Sequence, residues 1–537
     1  MAADVSSSQQ LPVLPVPRVL VWVILAAAAV AFVARLVPEP RTIDDAFITF
    51  RYSRNLVEGY GFVYNPGERI LGTTTPLYTL LMAALGFLTG SEGYPWFALI
   101  VNALADAVTS GLLALMAWRL SGRVTLAGLL GVLWAISPVS VTFAVGGMET
   151  SIAILWMTAA TYAYLTRREQ WMIALAALGV LTRIDALIWV GLLLLHHWIA
   201  YWRAHPAPGC LVQRVPWKLW GLFAALLLPW FAFSWLYFEQ ILPRSLFAKR
   251  VAYAVVDLQA LTRFLQQIAT PFFEHETFGV PAIAVGIVLY PGLAMIGLLT
   301  AAKRAPRLVP FVAYPWLYSA IFSLANPLIF RWYLAPLLPG YYLAILAGLW
   351  ALAEATVRSP RRAVVATTGL GILLVLFSLN AWVLRPDHGP DRPAPGMAWH
   401  QIELLYQQVG EWLRAENSVD RSTLVGAGDI GALGFFSRAR ILDTVGLVSP
   451  AAAAYYPVDR SLFVPGMNYA VPPQLVYDQR PEYLVLMEAF IRYGLAQDER
   501  FLTQYEQVLF IPTDFYGTGM IVYRLRGAHS FAATPVQ

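Results

Sequence analysis

The sequence has very little cysteine, lysine or charge for its length. Among 537 residues Cys210 is the only cysteine, so neither an intrachain disulfide nor a metal site built on several cysteines can form. Charged residues make up 13% of the chain, against about 25% in ordinary soluble domains, and apolar residues make up 58%. These values exclude a simple soluble globular protein and place the chain in a membrane.

The small basic excess follows the loops and forms no continuous surface. The net charge of +5 comes from arginines and lysines in short segments between apolar runs. No basic stripe predicts binding to DNA or RNA, so we expect no nucleic-acid partner. The same distribution is typical of a polytopic membrane protein, in which basic loops face the cytoplasm.

Apolar runs long enough to cross a bilayer recur along the first 384 residues. A span needs about 20 apolar residues, and the pattern predicts eleven. Nine are clear, and 171–182 and 186–200 are two shorter ones that meet at the "TRIDA" stretch. The clear runs are 19–37, 95–118, 124–144, 150–166, 217–238, 280–302, 308–325, 329–350 and 362–384.

Basic residues in the short loops predict the orientation. Arg119, Arg123, Arg167, Arg168 and Lys303 lie between predicted spans on one side, which we expect to be cytoplasmic. The N-terminus is then cytoplasmic, and the loop 38–94 and everything after residue 384 are extracytoplasmic. The run 76–90 is short and begins with proline, so we interpret it as a half-inserted or interfacial helix.

Residues 385–537 change in character and predict an extracytoplasmic α/β domain, after the transmembrane domain 1–384. Strand-length runs occur in "STLVGAG", "RILDTVG", "EYLVLME" and "MIVYRLR", and "WHQIELLYQQVGEWLRAE" has helical periodicity. The stretch "GAGDIGALG" follows a predicted strand. Its glycine spacing is degenerate for a dinucleotide-binding motif, so a tight turn from strand to helix is the preferred interpretation.

Ionisable residues cluster at the predicted outer ends of the spans, where charges are costly and often mark function. Lys249 is the only one of the three lysines on that side. A carboxylate can act as general base for an acceptor hydroxyl, while arginine and lysine stabilise charge on a departing phosphate. This set predicts group transfer from a lipid phosphate at the membrane surface, without a nucleotide. Its members are Asp44, Asp45, Arg51, Arg54, Asn65, Glu68, Arg69, Glu149, Arg183, Asp185, Arg244, Lys249, Arg250 and Arg331.

Several motifs in order carry a family resemblance. The run "IDDAFITFRYSRNLVEGYGFVYNPGER" closely resembles the first outer loop of the terminal arabinofuranosyltransferases, a branch of the GT-C glycosyltransferases that use polyprenyl-phosphate sugars. "GGMETS", "LTRIDALI", "LPRSLFAK" and "RWYLAPLLP" are similar to later motifs, so the resemblance covers about 40 to 340. Ile184 and Asp185 replace the usual Pro-Glu, and Phe330 replaces a histidine, which leaves the sugar open.

The resemblance implies a GT-C fold and assigns roles by position. Asp44 or Asp45 is the expected catalytic base, with Asp44 preferred, and reaction by a single displacement predicts inversion at the anomeric carbon. Lys249 and Arg331 are expected to bind the donor phosphate, with Arg244 as a helper. The expected sugar or acceptor residues are Glu149, Arg51, Asn65, Glu68, Arg183 and Asp185, although Asn65 and Glu68 fit a turn equally well.

The expected function is transfer of a sugar, arabinofuranose or another pentose or hexose, to a hydroxyl of a cell-envelope glycan or glycoconjugate. The expected partners are therefore the lipid-linked donor, that acceptor and the bilayer of the cell membrane. No cofactor is certain. Some GT-C enzymes bind a divalent cation, but no histidine cluster or carboxylate triad demands one here, so the metal stays unassigned.

Two other function classes compete. A transporter or flippase for a lipid-linked sugar also needs a basic headgroup site and a lipid groove, but it should show duplicated broken helices, which the sequence lacks. A non-catalytic scaffold whose outer domain binds glycan would leave the adjacent carboxylates of Asp44 and Asp45 without a role.

Overall fold

The computed structural model describes residues 15–204, 215–357, 359–384, 392–398, 400–416, 419–514 and 516–527. The stretch "RPDHGPDRPAPG" after residue 384 is rich in proline and glycine and predicts a linker, and its residues 385–391 lie outside these ranges. The helices are α1 (Arg18–Leu36), α2 (Asp44–Val57), α3 (Pro76–Thr89), α4 (Tyr94–Ser121), α5 (Val124–Ile136), α6 (Pro138–Val145), α7 (Thr150–Leu165), α8 (Glu169–Thr182), α9 (Leu187–Ala204), α10 (Trp217–Phe238), α11 (Ser245–Ala252), α12 (Gln259–Ala269), α13 (His275–Phe278), α14 (Val280–Arg304), α15 (Val309–Ala325), α16 (Leu338–Thr356), α17 (Pro360–Asn380), α18 (Gln401–Glu416), α19 (Gly431–Ser437), α20 (Pro473–Gln479) and α21 (Glu499–Gln504).

Every predicted span overlaps a helix, and 124–144 is divided between α5 and α6, but helix length and composition do not reproduce the expected eleven membrane crossings. Within the described residues, eight helical segments are long and apolar enough to cross a membrane, or nine if the bent pair α5 and α6 is one span. The predicted spans 150–166 and 171–182 correspond to α7 and α8, which have 16 and 14 residues. At 1.5 Å per residue these helices are about 24 and 21 Å long, shorter than a hydrocarbon core of about 30 Å.

The centre of the helical part is α16, which packs closely on α14. In the segment that contains α16, 89% of the most apolar window is buried. A Cβ on Gly297 would lie 1.9 Å from the carbonyl oxygen of Ala344, and one on Gly348 would lie 1.9 Å from that of Leu293. Glycine at both positions therefore lets the two backbones touch, as small residues do between membrane helices.

A buried ion pair fixes α1 against α4. Arg35 Nε lies 3.1 Å from Asp106 Oδ2, and neither side chain is exposed. Trp134 Nε1 and Ser151 Oγ also donate to Asp106, at 3.1 and 2.8 Å. The pair is thus fully hydrogen-bonded, which buried charges require.

The loop between α1 and α4 is folded and carries two short helices. α2 has a mixed polar and apolar sequence, whereas α3 is apolar but only 14 residues long. At about 21 Å α3 is too short to cross a bilayer unaided. A proline begins this helix, and Gly90, which has a left-handed backbone conformation, ends it.

The C-terminal part contains a five-stranded mixed sheet. The strands are β1 (Trp382–Leu384), β2 (Pro393–Pro395), β3 (Leu424–Ala427), β4 (Arg440–Asp443), β5 (Tyr483–Met487), β6 (Tyr505–Pro512) and β7 (Gly519–Leu525). The order in the sheet is β4-β3-β5-β7-β6. β3 is parallel to β4 and β5, whereas β7 is antiparallel to β5 and β6. The four strands predicted from sequence are present, and "GAGDIGALG" forms the predicted turn from β3 into α19.

Aromatic packing joins this domain to α2. Phe47 contacts the rings of Phe435 and Phe436 from α19, with centroids 5.5 and 5.3 Å away. Phe47 and Phe50 belong to the same buried cluster as the core of the five-stranded sheet. α2 is therefore held between the C-terminal domain and the membrane helices.

Candidate active site

Asp44 and Asp45 are the first two residues of α2 and project to different sides. Successive helical residues are rotated by about 100°. Acidic side chains in the first turn are also favoured by the helix dipole. The adjacent pair therefore divides between two environments.

Asp44 contacts the C-terminal domain. Its two carboxylate oxygens accept hydrogen bonds from the amides of Gly431 and Ala432, each at 2.8 Å. Its own amide donates to Glu403 Oε1 at 3.2 Å. Burial and the nearby charge of Asp429 raise the pKa of Asp44 to about 8, although the two amides act in the opposite direction.

Asp45 faces the membrane part of the protein. Its Oδ2 lies 3.2 Å from Lys249 Nζ, and the two side chains are 29% and 23% exposed. Both line a cavity of about 710 Å³. Lys249 Nζ also lies 4.4 Å from the ring centroid of Phe330. Burial has the largest single effect and lowers the pKa of Lys249, but the charge and hydrogen bond of Asp45 together with nearby Tyr333 outweigh it, so the net pKa is raised and the ammonium is retained.

A second charged network lies on the wall of this cavity. Arg183 donates to Glu149 Oε1 at 2.7 Å and to both carboxylate oxygens of Asp185, at 3.0 and 2.9 Å. Its guanidinium lies 5.3 Å from the ring centroid of Tyr333. Glu149, Arg183 and Tyr333 line the cavity, whereas Asp185 lies behind Arg183 and accepts from Tyr318 at 3.3 Å.

The structure adds residues that sequence reasoning did not select as site residues. Thr75 bridges Thr49 and Thr73, with hydroxyl distances of 3.2 and 3.1 Å. The uninterrupted threonines of "GTTTP" before the proline that begins α3 were an available signal. The further cavity-lining polar residues are Thr49, Thr73, Thr74, Thr75, Ser245, Tyr253, Asn326 and Tyr333, and Arg250 of the charged set lines the cavity as well.

Three residues expected to bind sugar or acceptor lie instead at the contact with the C-terminal domain. Arg51 donates to the carbonyl oxygens of Gly434 and Ala439, each at 2.6 Å, and is 1% exposed. Asn65 pairs with the backbone of Ile441, donating at 2.9 Å and accepting at 3.0 Å. Glu68 forms an ion pair with Arg440 at 2.7 Å. None of the three lines the cavity of Asp45.

The two remaining arginines predicted for the donor phosphate also lie outside this cavity. Arg244 lines a neighbouring cavity of about 540 Å³ with Phe247 and Val251. Arg331 is exposed, and it is Phe330, Trp332 and Tyr333 around it that reach the cavity of Asp45. Of the predicted phosphate ligands, Lys249 is the one beside the carboxylate.

Two acidic side chains of the C-terminal domain lie at the ends of its strands, and one of them, Asp429, acts on Asp44. Asp429 follows β3 and accepts a hydrogen bond from Tyr406 at 3.1 Å. Asp443 ends β4 and accepts from the amides of Val445 and Val448, at 2.8 and 2.9 Å. Burial raises the pKa of Asp429 and of Asp443 to about 6 each. In the described part of the chain, no three histidine, cysteine, aspartate or glutamate side chains are grouped to hold a metal ion.

Comparison with known sequences gives two partial matches. Residues 396–530 match a family described as a domain of unknown function (DUF8728). A stretch of 146 residues is 30% identical to the terminal beta-(1->2)-arabinofuranosyltransferase of Mycobacterium tuberculosis (strain ATCC 25618 / H37Rv). This match covers 26% of the chain and 23% of that relative, so the chain matches less than a quarter of the relative's length.

Solved structures match over nearly the whole chain. ArnT from Cupriavidus metallidurans, bound to undecaprenyl phosphate, has a TM-score of 0.56 at 14% identity, covering 94% of this chain and 97% of its own. The oligosaccharyltransferase AglB from Archaeoglobus fulgidus, in complex with an inhibitory peptide and a dolichol-phosphate, has a TM-score of 0.53 at 13% identity. That match covers 94% of this chain and 74% of AglB. The chain is therefore a multi-pass helical membrane protein with the GT-C fold and a C-terminal sheet domain.

Proposed function

We propose that this protein is an inverting glycosyltransferase that moves a sugar from a polyprenyl-phosphate donor to an acceptor hydroxyl. The observation that carries the proposal is the pairing of Asp45 with Lys249 at the wall of a large cavity. The GT-C fold supports it, as do the lipid phosphates named with ArnT and AglB. The short match to an arabinofuranosyltransferase favours arabinofuranose over other sugars.

Asp45 is the catalytic base in this proposal, and Asp44 is a positioning residue. Asp45 lines the cavity with a partly exposed carboxylate. Both oxygens of Asp44 are occupied by amides of the C-terminal domain. A base must reach the proton that it removes, and this requirement favours Asp45 over the neighbour preferred on the resemblance alone.

The reaction is a single displacement. The acceptor oxygen bonds to the anomeric carbon while its proton passes to the carboxylate of Asp45. The bond between that carbon and the donor phosphate oxygen breaks, and the electron pair leaves with the phosphate. Lys249, together with Arg250 on the same cavity wall, stabilises the negative charge of the released polyprenyl phosphate.

The ion pair between Asp45 and Lys249 also predicts that donor binding prepares Asp45 for the acceptor. Before substrate binds, Lys249 is held by Asp45. A donor phosphate competes for the ammonium, which frees the carboxylate for the acceptor hydroxyl. Glu149 and Arg183, fixed to each other, then form the rigid wall against which the sugar is placed.

In this proposal the cavity opens on the extracytoplasmic face of the cell membrane. The basic loop residues at the opposite end of the bundle support that orientation. The N-terminus is then cytoplasmic, and the C-terminal domain lies outside with the glycan or glycoconjugate acceptor.

The test is Asp45→Asn in purified protein, with Asp44→Asn as the matched neighbouring control. Transfer from polyprenyl-phosphate arabinofuranose to a synthetic glycan acceptor is measured alongside donor binding. Asp45→Asn should slow transfer by roughly 10²-fold or more, in line with general-base contributions, and should still bind donor. Asp44→Asn should retain activity to within several-fold.

Equal activity of Asp45→Asn and the unmodified protein would refute the role of Asp45. A panel of polyprenyl-phosphate sugars is also tested as donors. If none of them supports sugar transfer, and the protein instead moves the labelled lipid between the leaflets of a vesicle, the protein is a transporter and the proposal is wrong. Lys249→Met provides a second check, because it should weaken donor binding without loss of a monodisperse fold.

A further inference from the structure

A second large cavity lies at the other end of the helical bundle. It has a volume of about 760 Å³, and its walls come from α4, α7, α8, α9 and the loop before α15. Its arginine and histidine lining residues are Arg119, Arg167, Arg168, Arg307 and His196. No aspartate or glutamate is among the described residues that line it.

Two helices connect the cavities and place them at opposite ends. Glu149 immediately precedes α7 and lines the candidate active site, whereas Arg167 follows the end of α7 and lines the second cavity. α8 runs back, with Arg168 before its start and Arg183 after its end. The basic cavity is therefore separated from Asp45 by about the length of α7, roughly 24 Å.

Packing fixes part of the basic wall. Arg307 donates to the carbonyl oxygen of Tyr164 at 2.8 Å, and its guanidinium lies 5.0 Å from the centroid of that ring. The Tyr164 hydroxyl lies 2.8 Å from His196 Nδ1. The nearest carboxylate in sequence, Glu169, is directed to His197 at 3.3 Å. Within the described residues, Arg167 and Arg168 form no ion pair, so their charge is left for a ligand.

The remaining wall is apolar and faces the membrane. Leu112 and Leu175 line the cavity, and the neighbouring Trp171 has 64% of its surface exposed. Tryptophan at the end of an apolar helix is typical of the interface between lipid tails and headgroups. Basic pockets between membrane helices bind anionic lipid headgroups.

We propose that this cavity binds the phosphate headgroup of an anionic phospholipid. Arg167 and Arg168, between α7 and α8, contact the phosphate beside Arg307, and the leucines and Trp171 contact the start of the acyl chains. This site is independent of the sugar-transfer cavity and takes a different lipid.

The test measures lipid binding to the full-length protein by native mass spectrometry from detergent. Phosphatidylglycerol is the probe, with phosphatidylcholine as the zwitterionic comparison and inorganic phosphate as the soluble one. Arg167→Ala with Arg168→Ala should weaken phosphatidylglycerol binding by at least about 5-fold. The matched control is Arg361→Ala with Arg362→Ala, which removes the same charge from exposed positions outside the cavity and should leave binding unchanged.

Both substituted pairs are exposed, so the fold is expected to persist in each, and a monodisperse elution profile checks this. Equal binding of phosphatidylglycerol and phosphatidylcholine to the unmodified protein would overturn the proposal. An equal loss of phosphatidylglycerol binding in the two double variants would also overturn the proposal, because the loss would then reflect the lower net charge of the protein and not this cavity. Inorganic phosphate that displaces the lipid at equal concentration would show a site for soluble anions instead.

Discussion

Gly431 is the residue at which the C-terminal domain comes closest to the backbone of α2. A Cβ at this position would lie 1.7 Å from the carbonyl oxygen of Asp44. Because the obstructing atom belongs to the backbone, a side chain cannot be accommodated by a rotamer change. The amides of Gly431 and Ala432 reach the Asp44 carboxylate only at this separation.

We expect Gly431→Ala to destabilise the protein by at least about 1–3 kcal/mol, the usual range for overpacking. The measurement is the midpoint of thermal unfolding in detergent. Gly221→Ala in α10 is the control, because a Cβ there meets nothing within 4 Å. Equal midpoints for the two variants would contradict the close contact at Gly431.

The sequence could identify the acidic pair but not the separate environments of its two members. Two neighbouring aspartates look the same in a sequence. What distinguishes Asp44 from Asp45 is its contact with backbone amides that lie 387 and 388 positions away in the chain. The sequence indicates only that Arg51 is a charged residue near the membrane, whereas its partners are carbonyl oxygens of residues 434 and 439. Such long-range contacts leave no local pattern.

At the scale of elements, α2 and the ends of β3 and β4 bring together carboxyl groups with raised pKa values. Asp44 has a pKa of about 8, against an ordinary value of 3.8, and Asp429 and Asp443 have pKa values of about 6. Between about pH 4 and pH 8 the folded protein therefore holds protons that the unfolded chain has released. Stability must then fall as the pH rises through this window.

We expect the unfolding midpoint to be at least about 2 °C lower at pH 8.5 than at pH 5.5. Asp44→Asn removes the group with the highest of these three pKa values and should reduce the difference. Asp257→Asn, a change of the same kind at an exposed position, should not. A midpoint that rises with pH in the unmodified protein would show that these carboxyl groups are not protonated in the fold.

Strands are predictable from the sequence where burial gives a strong pattern. The residues of β3, β4, β5 and β7 are largely buried and form apolar runs, so the sequence predicts these strands. The sequence does not predict β6, because this strand lies at an edge, alternates between partly buried and exposed residues, and contains a register shift between Gln507 and Leu509. Sequence periodicity carries no sign of that shift.

At the scale of the whole molecule, the orientation in the membrane depends on the short helix α3. If α3 crossed the bilayer, every later loop would change sides. Its 14 residues and its packing on α2 and α4 favour a helix that stays on one side.

Reporter fusions test this directly. We expect fusions after residue 93 and after residue 390 to report outside the cell, and one after residue 121 to report inside. The basic residues Arg119 and Arg123 beside the last position give the reason. An outside signal at 121 would mean that α3 crosses the membrane.

The lengths of the apolar runs predict most of the helices, but they do not predict how many of these helices cross the membrane. α7 and α8 are as apolar as the spans around them yet shorter than a hydrocarbon core. Whether such a helix crosses the membrane depends on the helices packed against it and on its tilt, and the sequence of the helix itself determines neither.

The docking of α2 also defines what could be exchanged between related proteins. A boundary drawn at residue 385 would separate Arg51 from the carbonyl oxygens of Gly434 and Ala439, and Asn65 from Ile441. A chimera made at that boundary would join two surfaces that did not evolve together. The transferable module is the C-terminal domain with the segment from Asp44 to Glu68, and since Asp45 lies within that segment, the module would carry the proposed base to its new host.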